Sequence, residues 1–199
     1  VLFTHDTEVA LQGAAGLVNT RSGAGSGSDH LPSEQAVRAR AEGLDTLTSA
    51  AELQDFASTW GWSGRPPTDR AGVERVRALR PRLAQLWDLD EPGVVDLVNT
   101  LLAQERAVPQ LVDHDGWGWH LHGVPDDAPF ATRMAVEAAM AMIDVVRADE
   151  LQRLRRCGAD DCDGVLVDLS RNRSKRFCST TCGNRVAAAA YRERQSGED

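Results

Sequence analysis

The stretch that decides the fold is Cys157 to Arg185, CGADDCDGVLVDLSRNRSKRFCSTTCGNR. All four cysteines of the 199-residue chain lie in it, Cys157 and Cys162 as C-x4-C and Cys178 and Cys182 as C-x3-C, with 15 residues between the pairs. Two close pairs with such a spacer suit tetrahedral zinc, because each pair chelates from one turn while the spacer forms a hairpin that brings the pairs together. Two disulfides, with three possible pairings, are the alternative. An intracellular setting and the lack of cysteine in 1–156 disfavour them. No His lies beyond His122, and neither H-E-x-x-H nor the deaminase pattern H-x-E followed by P-C-x-x-C occurs. One closed, structural Zn2+ is therefore expected, held by Cys157, Cys162, Cys178 and Cys182.

The local sequence gives the site an architecture. Cys157 to Cys162 reads as a tight loop with Gly158, and Val165 to Asp168 (VLVD) as a short strand. Ser179 is a good N-cap for an alanine-rich helix running through Cys182 to Arg194, whose first amides favour thiolate at Cys182. A loop, a hairpin and a helix that supplies the last ligand resemble a treble-clef finger.

Charge is divided unevenly. The chain carries 22 basic and 30 acidic side chains, a formal charge of −8, which on average repels nucleic acid. By segment it is −11 over 1–150, +5 over 151–194 and −2 over the acidic tail 195–199. An acidic body with a basic C-terminal segment points to DNA, whereas a merely solvated surface is the plainer reading. Of the basic residues 21 are Arg and only Lys175 is Lys, which reads as codon bias and carries no function.

The organisation upstream is mainly α. Apolar spacing predicts helices over 6–20, 33–42, 49–60, from Thr68 through Trp87 with Pro81 bending it or splitting it in two, and from Pro92. Gly23 to Ser28 (GAGSGS) reads as a loop, and Asp115-Gly116 between alternating segments of 110–124 as a β-hairpin. Pro129 to Arg156 has no later Gly or Pro and reads as one helix of up to 28 residues, either the central core helix or part of a dimer contact, running straight into Cys157. The string Leu-Val-Asn-Thr occurs at 17–20 and 97–100 in unlike surroundings. The expected architecture is a helical domain over 1–150 with a small β-hairpin, then a treble-clef-like zinc finger over 151–194. No apolar run approaches the roughly 20 residues of a membrane span. Asp6 and Glu8 stand where a secretory signal needs a basic start and an apolar stretch, so a cytoplasmic location is expected.

Asp168, Ser170 and Asn172, the basic residues that follow and the closing Cys182-Gly183-Asn184-Arg185 closely resemble the CGNR zinc-finger family over about 157–194. Leu-Val-Asn-Thr at 17–20, Trp119-His120-Leu121-His122 and the helix leading to Cys157 are similar to the helical domain, called ABATE, that usually precedes such fingers. The resemblance implies a stress-related bacterial transcription regulator that binds DNA. The expected DNA contacts are Arg171, Arg173, Lys175 and Arg176 on phosphates and Asn184, Arg185 and Arg192 on the outward side of the terminal helix. Asn184 and Asp168 are weighed as structural, and Arg185 as a partner of Asp168 or of the cluster Asp160, Asp161 and Asp163.

All five tryptophans fall between 60 and 119. Trp117, Trp119, His120 and His122 are candidates to line a pocket for a small-molecule effector, against the plainer reading of core aromatics. No Ser-His-Asp arrangement, phosphate loop or paired-carboxylate motif stands out, so an enzyme is not expected. Two functions compete, a DNA-binding regulator and a zinc module for protein contacts. A homodimer is expected on the first, because a single finger reads little sequence.

Overall fold

The computed structural model describes residues 3–21, 42–114, 116 and 118–196. The expected helix over 33–42 lies outside them except for Glu42. The 23–28 loop lies outside them entirely, as does the end of the acidic tail.

Six helices and two antiparallel hairpins make up the described residues. Helix α1 is His5–Val18. Helix α2, Ala50–Thr59, begins with a capping box in which Ser49 accepts from the Glu52 amide and the Glu52 carboxylate accepts from the Ser49 amide. Helix α3, Arg70–Ala84, is capped by Asp69 and keeps Pro81 inside its last turn, after which a 3-10 turn covers Gln85–Trp87. Helix α4, Glu91–Gln104, opens with Asp90 as its cap and Pro92 in the first turn. Strands β1, Gln110–Asp113, and β2, Trp119–His122, pair in the register Leu111 to Leu121.

Helix α5, Phe130–Arg147, is the centre of the molecule and packs against α1, α3 and α4. Met134, Ala135, Ala138, Ala139, Met142 and Val145 are all buried. Alanines here and at 10, 14 and 15 let α1 approach closely, and Gly13 and Gly16 leave room on α1 for the indoles of Trp62 and Trp60.

The helix has 18 residues, not 28. It stops at Arg147, Asp149 turns the chain with φ of 54°, and a 3-10 turn at Leu151–Arg153 leads into strand β3, Leu154–Arg156. Asp tolerates the left-handed region better than most residues, so no Gly or Pro is needed to end the helix. Strand β3 pairs antiparallel with β4, Val165–Val167, in the register Arg155 to Leu166. The first cysteine pair therefore sits in the turn of this hairpin, whereas the expected hairpin lay between the pairs.

The second hairpin belongs to the main core. All three β4 residues are buried, and Val165 and Val167 join the hydrophobic cluster of the helical body. The Asn19 side chain donates to the Val165 carbonyl and accepts from the Val165 amide, each at 2.8 Å. The Trp87 indole donates to the Leu166 carbonyl at 2.9 Å, and Arg156 pairs with Asp88. Helix α6, Thr180–Ser196, by contrast buries only Cys182. No helix among the described residues is long and apolar enough to cross a membrane.

Candidate metal centre and basic surface

Four sulfurs meet where the β3–β4 turn faces the start of α6. Cys162 Sγ lies 3.6 Å from Cys178 Sγ and 3.8 Å from Cys182 Sγ, and the latter two are 3.7 Å apart. A tetrahedron of thiolates around zinc at about 2.3 Å has edges of about 3.8 Å, so the residues fit the metal. Cys157 completes the cluster, all four sulfurs lying within 4.8 Å of one another.

The chain around the sulfurs is built to carry negative charge. Amides of Gly164 and Cys178 point at Cys162 Sγ and Cys157 Sγ at 3.3 and 3.4 Å. A Cβ at Gly164 would come within 2.9 Å of Cys178 Sγ, so only glycine lets the turn close over the site. Ser179 caps α6 by accepting from the Cys182 amide at 3.2 Å. Hydrogen bonding with Cys178 lowers the Cys162 thiol to about 5, while Cys178 is pushed up by the same bond and by burial. One thiolate is thus available near neutral pH before any metal binds.

The segment between the cysteine pairs wraps around a buried carboxylate. Asp168 is fully buried and accepts from the Ser170 amide at 3.0 Å, the Ser170 hydroxyl at 2.5 Å and the Lys175 amide at 2.9 Å. Burial raises its pKa, but these bonds and Arg155 more than offset it and hold the carboxyl below its ordinary value. From β3, Arg153 donates to the carbonyls of Asp168 and Ser170, and Arg155 to those of Arg173 and Lys175. Asp168 is structural, in line with the expectation.

This framework sorts the basic residues. Arg171, Lys175 and Arg176 are exposed on the loop, Arg176 lying over the Phe177 ring. Arg173 is tied to both oxygens of Glu150 at 2.9 Å and has φ of 51°. On α6, Asn184, Ala187, Ala188 and Arg192 are exposed. Arg185 is half-buried and lies between the Asp161 carboxylate and Cys182 Sγ, the latter at 3.8 Å, which makes it a brace of the zinc site. Arg153, Arg155 and Arg156 add to the formal charge of the segment but are engaged within the fold.

The other candidate site is a cavity of about 330 Å³ between the first hairpin, α1 and α5. His120 and His122 line it, as expected, being alternate residues of β2 on its buried face. Trp119 does not: it is on the opposite face of the same strand and is 74% exposed, since successive strand residues point to opposite sides. Trp117 lies outside the described residues. Sequence reasoning missed His114, Glu137, Asp144, Asp6 and Ser63, which line the same cavity, and the buried Arg133 beside it. The clue was three of the chain's five histidines within nine residues. Burial raises the Glu137 carboxyl to about 7, against the pull of a 2.5 Å hydrogen bond from Ser63 and of Arg133. Burial and the Arg133 charge hold His122 below its ordinary value.

Comparison with protein families agrees with the geometry. Residues 14–149 match the ABATE family, described as "Putative stress-induced transcription regulator", and residues 153–195 match the CGNR zinc finger. No curated protein matches the chain. The four-cysteine cluster, which fits one structural zinc, follows a helical body that matches over two thirds of the sequence, and the chain belongs to the ABATE family, with a CGNR zinc finger after the ABATE region.

Proposed function

We propose that the protein is a zinc-dependent, DNA-binding transcriptional regulator of the cytoplasm, in which the finger touches DNA and the acidic helical body senses a ligand or pairs with a second copy. The observation that carries this reading is the loop around Asp168. Its backbone is fixed from within by Ser170, Arg153 and Arg155, so Arg171, Lys175 and Arg176 are presented outward beside the N-terminus of α6. Bound zinc supplies the folding of this module, joining the β3–β4 turn to the helix.

On this reading phosphate contacts set position on the duplex, and Asn184, exposed in the first turns of α6, reads a base edge. The body, at −11, keeps off DNA. A second copy fits the outer face of the first hairpin, where Leu111, Trp119 and Leu121 are exposed next to Val108.

The test is the salt dependence of binding to promoter fragments by the zinc-loaded chain. Each phosphate neutralised contributes a slope of about −0.9 in log affinity against log salt, so replacing Arg171, Lys175 and Arg176 by alanine should flatten the slope by about 2 to 3. An unchanged slope and affinity would overturn the reading in favour of a zinc-stabilised protein-contact module.

A further inference from the structure

We propose that His114, His120 and His122 form a second metal site, a three-histidine centre for a divalent first-row transition ion of the zinc class, open to the cavity of the helical body. It gives the sensing half of the reading above a ligand class. It does not depend on DNA binding.

The geometry is that of a metal face. His114 Nε2 lies 3.2 Å from His120 Nε2 and 3.2 Å from His122 Nε2. Nitrogen ligands at about 2.0 Å around a tetrahedral ion stand about 3.3 Å apart. The rings meet edge to face, with centroids 4.6 to 5.0 Å apart, so the nitrogens converge while the ring faces stay clear of one another.

With neutral rings, hydrogen bonds alone serve this arrangement poorly. His120 Nδ1 is 2.8 Å from the Gly118 carbonyl and must donate to it, which leaves the lone pair of its Nε2 aimed at the cluster. His114 Nε2 carries either a proton or a lone pair, yet it faces both other Nε2 atoms. With neutral rings one hydrogen can serve the two contacts only as a shared, weakened bond, and a lone pair at His114 would oppose that of His120. A cation at the junction takes the Nε2 lone pairs of His114 and His120 directly, and that of His122 once its proton has moved to Nδ1. The Gly118 bond is then the outer-sphere partner that typically orients a metal-bound imidazole.

Each histidine is held by the fold. His120 and His122 are buried on one face of β2, and His114 directly follows β1, whose last residue, Asp113, pairs with Trp119. His122 Nδ1 meets Arg133 Nη1 at 3.2 Å, and Arg133 also donates to the Pro125 carbonyl at 2.9 Å and to Ser63 at 3.3 Å. Coordination through Nε2 puts the proton of His122 on Nδ1, which can then no longer accept from Arg133, and the guanidinium turns to its other acceptors, Ser63 and the Pro125 carbonyl. Arg133 is on α5, and ion occupancy is thereby felt by the central helix. The fourth position faces the cavity, where water or a small oxygen or sulfur donor completes the tetrahedron beside Glu137.

Cobalt(II) titration of the full chain tests the site, because the two centres differ in colour. The four-cysteine centre gives an intense thiolate-to-metal charge-transfer band in the near ultraviolet, and a three-histidine centre gives only visible ligand-field bands. The expected result is about two equivalents per chain, the second lacking charge transfer, and about one in His114→Ala and in His120→Ala. The charge-transfer band and the helical circular dichroism, both retained, show that the variants are folded. His114 is only half-buried, so its replacement is the gentler of the two. A single equivalent in the parent chain, or a second one that persists in folded His114→Ala, would overturn the proposal.

Discussion

The carboxamide of Asn19 pairs with both backbone groups of Val165, donating to its carbonyl and accepting from its amide at 2.8 Å each, and so stands in for a neighbouring strand along β4. A residue at the end of the first helix thereby closes the edge of the hairpin that carries the zinc turn.

Replacing Asn19 by alanine leaves both groups of Val165 without these partners in a part-buried setting, at a cost of about 2 to 4 kcal/mol in urea unfolding. Asn99, at the same place in the second Leu-Val-Asn-Thr, is exposed on α4, and its alanine variant should stay within about 0.5 kcal/mol of the parent. Equal effects at the two sites would refute the assignment.

Removing zinc with a chelator should melt α6 and the Asp168 loop while β4 stays in the core. Circular dichroism is expected to lose part of its helical signal, and limited proteolysis to cut within 170–196. Tryptophan emission should hold, because Trp87 is bonded to Leu166 of the retained strand. A red shift would mean that the metal also holds the hairpin.

Glu137 predicts a falling stability with rising pH. Its folded value of about 7 lies above the ordinary 4.5, so the native state keeps a proton that the unfolded chain releases. The cost is absent below about 4.5, grows between 4.5 and 7 and is complete above 7, at most about 3 kcal/mol for a shift of that size. Denaturation of Glu137→Gln across that range should show a flatter profile and a gain at pH 8. A profile parallel to the parent's would count against a buried protonated carboxyl.

Asp168 has the opposite sign. Its carboxyl is held below the ordinary 3.8, so its contribution is present above that value and is lost as pH falls through the folded one. Asp168→Asn keeps one acceptor oxygen and sets its NH2 against either the Ser170 groups or the Lys175 amide, loosening the loop that both bonds hold. Hydrogen exchange at the Ser170 and Lys175 amides should speed up at least tenfold while β4 amides stay protected; unchanged protection would show that the loop stands without the carboxylate.

The metal site was legible because cysteine spacing is chemistry written directly into the chain. Spacing did not show which hairpin carries the cysteines, since the end of α5 depends on Asp149 at positive φ, a position that pattern reading assigns to continued helix. Nor did it show that Arg153, Arg155 and Arg156 serve the fold, because charge counts treat an engaged guanidinium and a free one alike. His120 and His122 were visible by alternation, but His114 joins them only once β1 and β2 pair. Leu-Val-Asn-Thr shows the limit most plainly: in one of two identical strings the asparagine clamps a strand, and in the other it faces solvent. Only the tertiary setting separates them.

Helix α6 is a cantilever. It extends about 26 Å at 1.5 Å per residue from a single fixed end, the zinc-bound Cys182. Any angular play at that end is multiplied along its length, and a swing of about 10° displaces the far tip by about 4 Å, more than a hydrogen bond tolerates. If the finger binds DNA as proposed, Asn184, two residues from the anchor, is the side chain held well enough to discriminate a base, while Arg192 and Arg194, near the tip, would be limited to the forgiving field of a phosphate chain.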